Sequence, residues 1–141
     1  MKNFRWTEKI FMFMAGSMYL LVTFWLFWPC TPLVIQESIK ILNKDKVVQQ
    51  GGELIYEVCY DKRVETQISI VKHLVNSYMI TYSPVDGNLL YGKGKVKRKM
   101  PIPLSADLGK YKMWWTTEVP VNPLRKTLVG AWSEEFEVVA K

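Results

Sequence analysis

The chain has 141 residues, 19 of them basic and 13 acidic, with a formal net charge of +6 and nearly half its residues hydrophobic. That charge is too small and too dispersed for a nucleic-acid-binding face, and the length allows one modest domain. A single histidine, two cysteines and no Cys-x-x-Cys pair leave no recognisable metal-ligand set, and no cofactor is expected.

The first predicted element is a membrane span. Ile10 to Trp28 reads IFMFMAGSMYLLVTFWLFW, 19 residues without a charge. As a helix it is roughly 28 Å long, close to the hydrocarbon thickness of a bilayer. Lys2, Arg5 and Lys9 precede it, opposed only by Glu8, and the next cation is Lys40. Positive flanks stay in the cytoplasm, so residues 1–9 are expected to form an inner tail and the rest to lie outside. Trp25 and Trp28 suit the headgroup layer at the exit, and Pro29 and Pro32 end the helix in a short linker, residues 29–32. A cleaved signal peptide would want a shorter apolar region and a small-residue cleavage site, and neither is written here. Ala15, Gly16 and Ser17 make a small patch without G-x-x-x-G spacing, and lipid contact is its expected use.

Three of the 19 basic and one of the 13 acidic residues precede the span, so the remainder is mildly basic, 16 against 12. From Leu33 onward, short β-type runs alternate with turn residues and no helical period appears. LVIQESIKIL (33–42) opens the series and KVVQQGG follows the polar turn at Asn43 to Asp45. In ELIYEVCY (53–60), Leu54, Tyr56, Val58 and Tyr60 share one face. TQISIVKHLV (66–75), SYMITY (77–82), GKVKRKMPIP (94–103) and KYKMWWTTEV (110–119) continue it, with Asp86-Gly87-Asn88 as a turn. KTLVGAWSEEFEVVA closes the chain, with a bulge expected near Gly130. About seven antiparallel strands over residues 33–141 predict an all-β fold, a single Ig-like β-sandwich behind one N-terminal transmembrane helix. Asp107, Gly109 and Tyr111 have the Asp-x-Gly-x-Tyr form of a tyrosine corner, at the start of the penultimate strand where that corner belongs.

The segment from Tyr56 onward, with YEVCYDKR, MPIPLSADLGKYKMWW, VPVNPLRKTLVG and SEEFEVV, resembles small proteins of tailed bacteriophages that pair a hydrophobic anchor with an Ig-like domain. The similar proteins often carry a second domain cysteine after the central turn, where this chain reads YGKGK. The resemblance implies a phage origin and an accessory or virion-associated role. Its motifs are structural rather than catalytic.

No catalytic set is legible. His73 lies in a β-type run, and Glu134, Glu135 and Glu137 read as a solvated strand end. Cys30 and Cys59 permit one disulfide outside the cytoplasm and equally permit two free thiols. The main candidate for contact is a cation row: Lys93, Lys95, Lys97 and Lys99 share one parity, with about 6.6 Å between neighbours in a strand. Such a row suits anionic lipid, lipopolysaccharide phosphate or a nucleic-acid backbone, while its plainer reading is protection of an exposed or edge strand from aggregation. Trp114 and Trp115 are expected to point oppositely, one into the core, while Arg125 has no assignable partner. The expected function is a non-enzymatic interaction module with a protein partner in the envelope or virion. A structural virion component whose hydrophobic segment aids attachment or genome delivery is the alternative.

Overall fold

The structure is a computed structural model. It describes residues 2–141, with side chains from Arg5 onward; the Lys2 side chain of the basic flank lies outside the described residues. Strand accounts for half of the chain, behind one N-terminal helix.

The helix α1 spans Lys2–Phe27, so it begins before the uncharged run. Nothing in the flank breaks a helix, and the first breaker is Pro29. Its Arg5–Phe27 stretch is long and apolar enough to cross a membrane, and none of its most apolar window is buried in the protein. A helix apolar on every side and covered by nothing is suited to lipid.

Eleven strands follow: β1 Leu33–Ile35, β2 Lys40–Ile41, β3 Val47–Gln49, β4 Glu53–Lys62, β5 Ser69–Val75, β6 Met79–Thr81, β7 Val85–Asp86, β8 Gly92–Pro101, β9 Gly109–Asn122, β10 Arg125–Trp132 and β11 Phe136–Val139. They form two curled sheets. In one, β4 is central, with β1 and β2 along one side and β8 antiparallel along its whole length on the other. In the second, β9 is central, flanked by β5 on one side and by β10 and β11 on the other. β6 and β7 add to the outer side of β5.

Sequence alternation places the core. Leu54, Tyr56, Val58 and Tyr60 of β4 are all buried, as are Tyr111, Met113 and Trp115 of β9. With Ile70, Leu74, Met100, Phe136 and Val138 they make one hydrophobic cluster drawn from both sheets.

Three local expectations are corrected. The 33–42 run is two short strands, because after the Gln36 amide donates to the Cys59 carbonyl the chain leaves the β4 ladder over residues 37–39 and Ile39 bridges to Ser133 instead. The set is not wholly antiparallel: β3 runs parallel to β11, pairing Val48 with Val138. The closing segment breaks at Ser133–Glu135 rather than at Gly130. Gly130 stays in the ladder for a different reason: a Cβ there would come within 2.5 Å of the Trp114 ring, which needs that space.

Glu134 fixes the break. Its carboxylate accepts from the Ile41 amide at 3.2 Å and pairs with Lys46 at 3.2 Å, while its own amide donates to the Ile39 carbonyl. The Ile41 hydrogen bond, then Lys46, lowers its pKa below the ordinary 4.5. A lowered folded pKa gives stability that is present above pH 4.5 and is lost as pH falls through the folded value. Glu134→Gln is expected to cost about 1 kcal/mol at pH 7 and to flatten the decline in unfolding midpoint below about pH 5. Thermal unfolding followed by circular dichroism at pH 7 and pH 4 measures both. An unchanged pH profile would show that Glu134 carries none of the acid sensitivity.

Candidate interaction surface

The cation row lies on β8. Lys93, Lys95, Lys97 and Lys99 are exposed on one face, and β8 pairs only with β4, so it is an edge strand. The alternate residues Val96, Arg98 and Met100 turn inward.

Register adds what the row alone does not tell. Opposite Lys93 stands Asp61, opposite Lys97 stands Glu57, and opposite Lys95 stands Cys59. Lys99 makes an ion pair with Glu53 at 2.7 Å. Among the described residues, Lys93, Lys95 and Lys97 make no ion pair, and Asp61 is held by Arg63 at 3.0 Å. The lysines therefore project beside a row of carboxylates one strand away, which roughly halves the positive potential the row would otherwise present. Replacing all four with glutamine is expected to weaken binding of residues 29–141 to phosphatidylglycerol vesicles on the order of tenfold. Four uncompensated lysines at about 1 kcal/mol each would give nearer a thousandfold. Vesicle flotation across a salt series measures it, and equal binding by both proteins would remove the row from any role in contact.

Behind the row, between the sheets, Tyr56, Lys72 and Arg98 line a cavity of about 10 Å³. The Lys72 ammonium stands 5.7 Å from the Tyr56 ring centroid, and the Arg98 guanidinium donates to the Gly87 carbonyl at 3.1 Å. Burial, then the charge of Arg98, pulls the Lys72 pKa down, and burial pushes Tyr56 up to about 12. The gap is no larger than about one water molecule.

The other singled-out residues have defined places. Tyr111 is fully buried and its hydroxyl donates to the Asp107 carbonyl at 3.1 Å, but its strand β9 is followed by two strands, β10 and β11, and so is not the penultimate one. Gly109, between them, has φ +132, a conformation glycine adopts without strain. A second contact was not legible: the Tyr78 hydroxyl meets that of Tyr111 at 3.3 Å and accepts from the Asp107 amide at 3.0 Å. Cys30 and Cys59 are both free thiols, Cys30 half-buried in the linker and Cys59 buried on β4. His73 shares a 3.0 Å hydrogen bond with Thr81 across β5 and β6. Trp115 is in the core, whereas Trp114 lies on the outer face, half-buried, with its ring 4.6 Å from that of Trp132. Among the described residues no group of three or more His, Cys, Asp or Glu is placed to hold a metal.

Arg125 has partners that no local pattern announces. Its guanidinium donates to the carbonyls of Leu26 and Trp28, both at 3.2 Å, and the Asn122 amide donates to the Trp25 carbonyl at 2.6 Å. The bend between β9 and β10 thus caps the C-terminal end of α1, where carbonyls lack intrahelical partners and the dipole favours a cation. Neither a protein-family model nor a curated protein sequence matches the chain.

Proposed function

We propose that the protein is a phage-encoded, membrane-anchored, non-enzymatic interaction module. In this reading α1 crosses the bilayer with its N-terminus in the cytoplasm and displays an Ig-like domain on the periplasmic or outer side, where it acts on another envelope or phage protein.

One observation carries the anchoring: a helix whose 23-residue Arg5–Phe27 stretch is apolar enough to span, uncovered by the rest of the chain across its most apolar window, is joined through the five residues 28–32 to a β domain with its own core. The basic flank of Arg5 and Lys9 supports the orientation. The Ig-like reading rests on β4 pairing with β8 in one sheet, β9 between β5 and β10 in the other, β3 parallel to β11, and the Tyr111 hydroxyl bond to Asp107. An interaction role is favoured because such folds offer faces and loops rather than a ready-made cleft. The exposed β8 lysines and the half-exposed Trp114–Trp132 pair are two surfaces open to such a contact.

Lys141→Cys in a Cys30→Ser, Cys59→Ala background, probed in intact and permeabilised bacteria with a maleimide that cannot cross the inner membrane, tests the orientation. Labelling without inner-membrane permeabilisation is expected; labelling only after it would overturn the proposed topology. Crosslinking pull-down from the same cells tests the partner. Recovery of the protein in purified phage particles, rather than in host membranes, would replace this reading with that of a virion component.

A further inference from the structure

The β domain is held against the helix exit by both sheets. From the second sheet, Asn122 and Arg125 cap the Trp25, Leu26 and Trp28 carbonyls. From the first, the Arg63 amide donates to the Pro32 carbonyl at 2.8 Å and its guanidinium to the Thr31 hydroxyl at 3.0 Å. The loop before β8 belongs to the same end of the domain. Lys62, in register with Leu33 on one side and Gly92 on the other, donates to the Leu89 carbonyl at 2.9 Å, and the Leu90 amide donates to the Tyr60 hydroxyl at 3.2 Å.

This end carries large apolar side chains in the open. Leu90 is 79% exposed, Tyr91 65% and Leu124 53%. Exposed Lys93 and Lys126 stand two residues on from Tyr91 and Leu124, Lys126 at 3.8 Å from the Glu118 carboxylate. A leucine left in water forgoes about 1.5–3 kcal/mol of burial. Leu104, at 69%, is equally exposed at the other end, so what sets Leu90, Tyr91 and Leu124 apart is their place beside the helix exit.

We propose that this end of the domain is a second membrane contact. Leu90, Tyr91 and Leu124 seat in the headgroup layer of the leaflet from which α1 emerges, and Lys93 and Lys126 meet its lipid phosphates. The inference rests on reading α1 as a span. Its occupant follows from continuity: the carbonyls of Trp25 to Trp28 lie where the span leaves the hydrocarbon, and the 122–125 bend touches those carbonyls. The bend therefore shares their depth. Apolar rings and aliphatic chains with adjacent cations match the amphipathic character of that layer. Because the contact is intramolecular with the anchor, it persists even where each group contributes little. The domain then rides on the bilayer in a fixed orientation instead of swinging on a tether.

The test uses the full chain in nanodiscs of phosphatidylcholine and phosphatidylglycerol at about 3:1, with Cys30→Ser and Cys59→Ala as background. A nitrobenzoxadiazole probe is placed by Leu90→Cys, Leu124→Cys, Leu104→Cys or Ser17→Cys. Leu104 stands against Gly51, beside the Gly52–Ile102 hydrogen bond at the other end of β4 and β8, and serves as the distant control. Headgroup-nitroxide lipid is expected to quench positions 90 and 124 several-fold more than 104, and mid-chain nitroxide to quench position 17. Equal quenching at 90, 124 and 104, with position 17 quenched, overturns the second contact and leaves the span standing. An unquenched position 17 overturns the span and the contact together. Asn122→Ala with Arg125→Ala is expected to reduce quenching at 90 and 124 and to leave 17 unchanged. In the unsubstituted chain, amide exchange at 88–92 and 122–125 should slow in discs relative to detergent while the 103–107 loop does not. Equal slowing in both regions, or in neither, counts against the contact.

Discussion

Trp115→Ala is expected to remove about 3–5 kcal/mol from the β domain, a large share of the roughly 5–15 kcal/mol such domains commonly have. Trp115 is 2% exposed and lines the same small gap as Tyr56, Val58 and Ile70, with both sheets contributing to its surroundings. That gap is only about 10 Å³, so the wild-type packing has little slack, and removing an indole opens a void the neighbours cannot fill. The adjacent tryptophan supplies the contrast. Trp114 is half-buried on the outer face against Gly130 and Trp132, so Trp114→Ala is expected to cost about 1–2 kcal/mol. Urea unfolding of the full chain in detergent, followed by the far-ultraviolet signal of the sheet, separates the two. A midpoint for Trp115→Ala no lower than that for Trp114→Ala would mean that the parity of β9 does not set the core.

That contrast shows what the sequence can and cannot announce. In β4, β8 and β9 alternation persists over many residues, so which side chains face inward is written locally: Tyr56 and Trp115 in, Lys95 and Lys97 out. The uncharged run is equally plain, because no soluble context needs 19 apolar residues on every side of a helix. The start of α1 was not legible, since its charged flank is as compatible with helix as with a loose tail. Pairing between distant segments was not legible either. β3 joins β11 in parallel, and Glu134 reaches Ile41, through contacts about 90 residues apart in the chain. The lysine row could be read from parity, but its neighbouring carboxylates Asp61 and Glu57 come from the register of β4 against β8, which no single run encodes. Arg125 shows the same limit: its acceptors are backbone carbonyls of a helix end, which carry no residue-type signal at all.

The largest expected effect comes from charge placed in α1. Met14→Arg with Leu20→Arg puts two guanidinium groups near the middle of the apolar run, each costing about 2.5–3.5 kcal/mol on the insertion scale. The run contains nine Ile, Leu, Val or Phe residues, each contributing roughly −0.3 to −0.6 kcal/mol at best, or about −3 to −5 kcal/mol together. Two arginines outweigh that sum, whereas one roughly balances it. The double variant is therefore expected to move from the membrane pellet to the soluble or aggregated fraction after alkaline carbonate extraction, and the single variants to divide between fractions. Leu20→Ala with Leu21→Ala, which removes apolar surface without adding charge, should stay in the pellet. Because none of the apolar window is buried against the β domain, neither arginine disturbs a folded contact there. Loss from the membrane then reports insertion and not misfolding, and an unchanged sheet signal for the double variant confirms the distinction. A double-arginine protein that resists carbonate as the wild type does would mean that lipid is not the solvent of α1.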